Sequence, residues 1–370
     1  MIIGIPKEIK EYEYRIAITP AIVKELKDKG HIILIENNAC EIPEYSNEKF
    51  KEAGAIIIDK AEEIWSKSDL ILKVKEPQPQ EYIYFRKNLI LFTFLHLASN
   101  PVLTEELLRK EVIAIGYETI ESENHDFPIL SPMSEIAGKL APQLASHYLL
   151  KYYGKKGILL SGTTGTEKGN IVIIGAGNVG INAAIIASGL GANVTLLDIN
   201  LNKLKIAERI LRNRIQTLYS NQENLIRSLN KADVIIGAIY QSGSKTPQII
   251  KKDMLKFIPE GSLIFDVSID QGGIAETSHP TTHQNPIFEI EGILHYAVPN
   301  IPSLVAKTSI PALANALYPY LLPLTQNSIE DLINKNHIIL TGIQCFKGYL
   351  THPAIAKTLN KIYKPLRELI

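Results

Sequence analysis

The chain has 370 residues, more than the roughly 250–300 that one hydrophobic core usually serves, so two domains are expected. Hydrophobic residues make up 45% and charged residues 21%, the balance of a globular protein rather than a disordered one. Lys plus Arg and Asp plus Glu each number 39, which leaves no basic excess to recruit nucleic acid or an acidic membrane surface.

The two cysteines, Cys40 and Cys345, have neither metal-ligand spacing nor the numbers for a disulfide framework, so a reducing, cytoplasmic compartment is expected. Met1-Ile2-Ile3-Gly4-Ile5-Pro6-Lys7 is too short and too soon charged to read as a signal peptide. The most apolar long stretch, Ile310 to Leu324, is interrupted by Pro311, Pro319 and Pro323 and falls short of the roughly 20 residues of a membrane span.

The first part alternates short β-branched runs with helical patterns. Strands are predicted at Ile2–Ile5, Ile32–Ile35, Ala55–Ile58, Leu70–Val74, Leu89–Phe94 and Val112–Tyr117. Thr19-Pro20 and Asn100-Pro101 open helices with a cap and a first-turn proline, and Gly30 closes the first. Glu121–Pro128 is polar and reads as a loop. A long helix over about Ser134–Tyr152, kinked at Pro142, leads into a second alternating block. There Ile171–Ile174, Asn193–Leu197, Asp233–Ile236 and Leu263–Val267 read as strands, and Asn178–Ser188 and Leu201–Leu211 as helices. Beyond Tyr296 the pattern is helical, with Ser309–Leu321 and a helical C-terminal region. Strand and helix in alternation imply parallel sheets covered by helices.

Gly175-Ala176-Gly177-Asn178-Val179-Gly180 stands directly between a predicted strand and helix. The first glycine permits the tight turn, the second lets the backbone approach a pyrophosphate, and the third lets helix and strand pack closely. The helix N-terminus then faces the phosphates. A lone glycine turn is weak evidence, but Asp198 closes the next strand, 18 residues beyond Gly180, where a carboxylate accepts from ribose hydroxyls. The unit reads as dinucleotide-binding. Asp198 disfavours a ribose 2′-phosphate and so favours NAD, whereas Lys203 is near enough in sequence to oppose that preference or is simply a solvated helix charge.

A second set of polar residues is harder to read as scaffold. Lys73 and Lys75 alternate with Val74 at the carboxyl end of a buried parallel strand, where apolar residues are the rule and ligands bind. His96 ends the apolar run Leu91-Phe92-Thr93-Phe94-Leu95; alone it would read as a core histidine. With Arg15 and Lys75 in the same domain, the three supply a carboxylate fork, a cation for a carbonyl, and a group that titrates near neutrality. In Phe265-Asp266-Val267-Ser268-Ile269-Asp270-Gln271-Gly272-Gly273, Asp266 reads as a cap or turn former and Asp270 as the better candidate for chemistry.

These residues carry a resemblance over nearly the whole length. Gly4-Ile5-Pro6-Lys7-Glu8 with Arg15, Lys73-Val74-Lys75-Glu76-Pro77, Phe92 to Ala98, Met133-Ser134-Glu135-Ile136-Ala137-Gly138, the glycine turn, Val267 to Gly273 and His295-Tyr296 resemble, in order and spacing, the alanine dehydrogenase family. The resemblance implies an α/β fold of two Rossmann-like domains with parallel sheets. A dinucleotide domain (129–305) would be inserted into a discontinuous substrate domain (1–128, completed by a helical part, 306–370), with a cleft between them. It implies NAD-dependent, reversible oxidative deamination of L-alanine to pyruvate and ammonia, with His96 and Asp270 as catalytic pair and Arg15 and Lys75 holding substrate. Cofactor-contacting positions would be Ser134, Gly175, Gly177, Asn178, Val179, Gly180, Asp198, Lys203, Ser220, Ile239, Val267, Ser268, Ile269, Asp270, Val298, Pro299, Asn300 and Ile301. A homohexamer is implied too.

The chain departs from the family pattern at Thr163-Thr164 in a loop usually richer in glycine and valine, at Ile301, and at Lys307 where arginine is common. Thr325-Gln326-Asn327 replaces a Glu-His pair that holds magnesium in some members, so no metal is expected. The alternatives are a related dehydrogenase of another small 2-oxo acid, a transhydrogenase NAD subunit or saccharopine-forming enzyme, and a catalytically inactive NAD sensor.

Overall fold

In the computed structural model, which describes residues 1–153, 156–241, 245–335 and 337–369, short apolar runs pair into two sheets. The first is laid down by β1 (Ile2–Ile5), β2 (Ile32–Glu36), β3 (Ile56–Ile58), β4 (Leu70–Leu72), β5 (Ile90–Thr93) and β6 (Ile113–Gly116). These are mutually parallel, in the order β3-β2-β1-β4-β5-β6. The second comprises β7 (Asn170–Ile174), β8 (Asn193–Asp198), β9 (Gln216–Tyr219), β10 (Val234–Gly237), β11 (Leu263–Asp266), β12 (Ile287–Ile290) and β13 (Ile293–Tyr296). Its order is β9-β8-β7-β10-β11-β13-β12, parallel except for the β12–β13 hairpin. Counted over their mutually parallel strands alone, each sheet runs 3-2-1-4-5-6, the doubly wound Rossmann order.

Two compact units result. One gathers Met1–Met133 and the residues from Ser303 onward; the other holds Ser134–Gln241 and Lys245–Pro302. The central strands are apolar and buried along their whole length, as at Leu70–Leu72 and Val234–Gly237, because helices cover both faces. Each fully buried Ile or Leu contributes roughly 1.5–3 kcal/mol relative to exposure. Thr19 accepts from the Ile22 N–H, and Asn100 from the Leu103 N–H, so the predicted caps open the helices Pro20–Asp28 and Pro101–Arg109.

Four readings of the sequence change. The long helix spans Leu130–Tyr148 rather than Ser134–Tyr152, with Pro142 inside it; the Gly157 N–H donates to the Leu149 carbonyl at 3.0 Å and ends the ladder there. The proline-rich helix is longer than predicted, Ala306–Gln326. Strand β9, the helix Gln222–Leu229 and the β12–β13 hairpin were not anticipated; along Gln216–Tyr219 no residue is fully buried, and that edge carries little hydrophobic signal. The C-terminal part is not wholly helical: it supplies β14 (Ile343–Phe346) and β15 (Tyr349–Leu350), which extend the first sheet antiparallel from β6. Lys347-Gly348, both at positive φ (47° and 78°), forms the tight turn between them, the geometry of a two-residue hairpin.

Candidate active site

Parallel pairing puts the carboxyl ends of all the parallel strands of a sheet at one edge, where open α/β sheets bind ligands. In the second unit the residues at that edge are the glycine turn after β7, Asp198 ending β8, Ser220 after β9, Ile239 after β10, Val267–Asp270 after β11 and Val298–Ile301 after β13. Gly175 has φ 108°, and a Cβ there would stand 2.5 Å from the Ala238 carbonyl oxygen. A Cβ on Gly180 would lie 1.8 Å from the Gly175 carbonyl oxygen. Around Gly177 a Cβ would meet no atom within 4 Å, and the helix Asn178–Gly189 starts directly after it. The turn thus presents a helix N-terminus and an open backbone to a ligand, a cradle that fits a pyrophosphate.

Asp198 Oδ2 accepts the Ala176 N–H at 2.6 Å, and Oδ1 accepts the Asn200 N–H at 2.7 Å. The carboxylate therefore braces the glycine turn and the next helix start together. Lys203 is exposed on the helix Leu201–Leu211, its backbone N–H donating to Asn200, as a solvated helix charge would be. Ser220 N–H donates to the Asp198 carbonyl at 3.0 Å. Ser268 Oγ accepts the Ile239 N–H at 3.1 Å and donates to the Ile239 carbonyl at 2.8 Å, tying β10 to β11. Asp270 is half-buried on the single turn Val267–Gln271, which Gly272 closes at φ 100°. Asp266 is the fully buried cap of that turn, accepting from the Ser268 and Ile274 N–H groups at 3.2 and 2.9 Å; burial still raises its pKa. Val298 and Ile301 are buried within the apolar core, Asn300 is buried at φ 65° and Pro299 is half-buried. Ser134, Asn178 and Val179 lie on helices.

In the first unit the same rule gathers charge. Glu8, Glu13 and Arg15 follow β1, Lys73 and Lys75 follow β4, His96 follows β5 and Glu118 follows β6. Arg15 is 2% exposed. Its Nε and Nη2 donate to the two oxygens of Glu13 at 2.7 and 2.6 Å, and its Nη1 reaches Met133 Sδ at 3.1 Å. Lys73, read from the sequence beside Lys75, is 1% exposed and bridges Glu8 at 3.1 Å and Glu81 at 2.9 Å; it serves the scaffold. Glu8 in turn accepts from the Val74 N–H at 2.5 Å and the Lys75 N–H at 3.3 Å. Burial pushes the Glu8 carboxyl up to about 7 against the pull of Lys73. The neighbouring Glu13 and Glu81 carboxylates push it upward as well.

Lys75 is buried and Glu76 beside it is nearly so. Burial opposes ionisation of Glu76, yet Lys75, Lys10 and His96 hold its pKa below the ordinary value. His96 is half-buried, its ring parallel to Phe94 at a centroid distance of 5.9 Å. Its backbone is left-handed (φ 50°, ψ 39°), which costs a residue with a Cβ roughly 1–2 kcal/mol. Glu13, Glu8 and Glu118 were not singled out from the sequence. Glu8 and Glu118 are charges just past an apolar strand end, the signal that did single out Lys75, whereas Glu13, eight residues past β1, carries no such signal.

Two family models match, alanine dehydrogenase/PNT N-terminal domain over residues 4–137 and C-terminal domain over residues 141–353. Alanine dehydrogenases of Bacillus subtilis and Methanococcus maripaludis are each 43% identical over 371 aligned residues, covering 100% of this chain and 98% and 100% of theirs. A solved L-alanine dehydrogenase superposes with a TM-score of 0.90 at 39% identity, covering 97% of this chain and 99% of that one. A transhydrogenase from Sinorhizobium meliloti shares the fold at TM-score 0.75 and 20% identity. With both family models matched in order and relatives aligned along its full length, the chain belongs to the alanine dehydrogenase/PNT family.

Proposed function

We propose that this chain is an NAD-dependent alanine dehydrogenase, catalysing the reversible conversion of L-alanine and water to pyruvate and ammonium. The observation that carries the reading is full-length identity of 43% to alanine dehydrogenases, in a chain whose first sheet gathers Arg15, Lys75 and His96 at its ligand-binding edge. Bound NAD supplies the chemistry of hydride acceptance from C2 of the amino acid. The cradle of Gly175, Gly177 and Gly180 with the helix start at Asn178 would hold its pyrophosphate, and Asp198 would receive the adenosine ribose. Ser134, Val179, Lys203, Ser220, Ile239, the Val267–Asp270 turn and Val298–Ile301 complete the assigned cofactor contacts.

Arg15 binds the substrate carboxylate. The side-on fork to Glu13 fixes the guanidinium plane, so its end-on edge is set before substrate arrives. Lys75 places an ammonium against the oxygen on C2 and favours the carbonyl of pyruvate. Once hydride has left, water adds to C2 and ammonia departs, steps in which His96 and Asp270 take up and return protons. Alanine, water and NAD⁺ become pyruvate, ammonium, NADH and one proton. The assembly we assign is a homohexamer, from the family resemblance, and the compartment is the cytoplasm, where the two free cysteines suit a reducing milieu.

The test follows NADH absorbance with ammonium and pyruvate, glyoxylate, 2-oxobutyrate or 2-oxoglutarate in turn, and repeats the best pair with NADPH. Pyruvate with NADH should win. A larger kcat/KM for another 2-oxo acid would reassign the substrate, and NADH binding without any turnover would mark a sensor. His96→Ala should lower turnover roughly 10²- to 10⁴-fold, leaving a measurable residue, while keeping NADH affinity. Native mass should equal six times the 41.2 kDa chain.

A further inference from the structure

Imidazoles that move protons are commonly oriented through one ring nitrogen, whose partner fixes the tautomer and the ring plane. His96 is held otherwise. Its Nδ1 is buried and has no hydrogen-bond partner among the described residues. Ring placement therefore falls to the parallel face of Phe94 and to the backbone of His96 itself, which sits in the left-handed region.

That backbone is gripped by one side chain. Glu118 Oε1 accepts the His96 N–H at 2.9 Å, and Oε2 accepts the Leu95 N–H at 3.2 Å. A carboxylate spanning two consecutive amides is charge-assisted at both oxygens, and it opposes the return of φ at His96 to the right-handed side. Glu118 is itself pinned from the C-terminal strand: Gln344 Nε2 on β14 donates to Glu118 Oε1 at 2.9 Å and to Thr119 Oγ1 at 3.0 Å. Glu118 is 3% and Gln344 0% exposed. Gly116 leaves the space this requires, since a Cβ there would stand 1.9 Å from Gln344 Nε2.

We propose that Glu118 is a positioning residue for His96, acting through the main chain, and that Gln344 locks Glu118 in that role. The proposal rests on the reading of His96 as a proton-transfer group. A carboxamide at 118 has one acceptor oxygen for two amides, and its NH₂ would face a donor. Glu118→Gln therefore releases one of the two amides and lets the His96 backbone relax.

The experiment measures kcat, KM for pyruvate, NADH affinity by fluorescence titration and thermal midpoint for wild type, His96→Ala, Glu118→Gln and the double variant. Glu118→Gln should lower kcat on the order of 10- to 100-fold, with NADH affinity unchanged. Added to His96→Ala it should cost nothing further in residual turnover, because residues acting as one unit are non-additive. Wild-type kcat in Glu118→Gln would overturn the proposal. So would an equal fractional loss in both backgrounds, the mark of a merely structural role. If Glu118→Gln does not fold, Gln344→Met and Gly116→Ala disturb the same lock without replacing His96 or Glu118. Each should lower kcat in wild type and not in His96→Ala; no loss from either would overturn the proposal. Wild-type turnover in His96→Ala would instead strike the reading of His96 and remove what Glu118 is said to serve.

Discussion

Two glycines three residues apart in one turn, Gly177 and Gly180, do different work, and single substitutions separate them. At Gly180 a Cβ has no room beside the Gly175 carbonyl, so Gly180→Ala should lower the thermal midpoint through backbone displacement, at a cost of roughly 1–3 kcal/mol. At Gly177 the space is open and the backbone extended. Gly177→Ala should therefore leave the midpoint unchanged and weaken NADH binding at least about tenfold, or roughly 1.4 kcal/mol. Equal effects of both on stability would show that the space at Gly177 is not reserved for a ligand.

Glu8 yields a second prediction at the same scale. Its carboxyl is raised by burial from an ordinary 4.5 to about 7, so between those values the folded chain holds a proton that the unfolded chain has released. Stability from this group is fully present below about pH 4.5 and is lost as pH rises to about 7, amounting to roughly 3 kcal/mol. Glu8→Gln keeps an oxygen for the Val74 N–H but cannot titrate. Urea unfolding at pH 5 and pH 8 should show a smaller pH difference in this variant than in wild type; an identical difference would reject the assignment.

At the scale of elements, the strongly periodic segments were legible. The helix Leu201–Leu211 falls where the sequence places it, and the glycine turn joins β7 to its helix. The polar ends of β4 and β5 were legible because charge interrupts a buried apolar run. What escaped was held by distant partners. Gln344 is unremarkable in Ile343-Gln344-Cys345-Phe346 until antiparallel pairing with β6 brings it to Glu118. Its hairpin escaped because Lys347 occupies a left-handed position usually marked by Asn, Asp or Gly. Gly348, at φ 78°, is the pivot, and Gly348→Ala should cost roughly 1–2 kcal/mol. Its thermal midpoint should fall, and kcat with it if β14 carries Gln344 as proposed; a variant as stable as wild type would show that the turn tolerates a side chain.

For the whole molecule, the discontinuity of the first unit matters most. Its sheet opens with β1 at the start of the chain, yet β14 and β15, its last strands in sequence, come after the entire second unit. A ribosome emitting residues at about 5–20 per second completes the second unit while the strand that covers β6 is still unmade. For several seconds the growing chain then carries a finished Rossmann unit beside a sheet with a bare edge, the kind of surface on which chains pair with one another. Nascent chains stalled after Pro302 should accordingly be cut by protease within residues 1–133 and resist it within 134–302. Uniform resistance would mean that the early strands need no closing partner. The same order of synthesis implies that Gln344 arrives after every other residue of the proposed His96 lock, so the cofactor unit can be fully wound before the backbone of His96 is set.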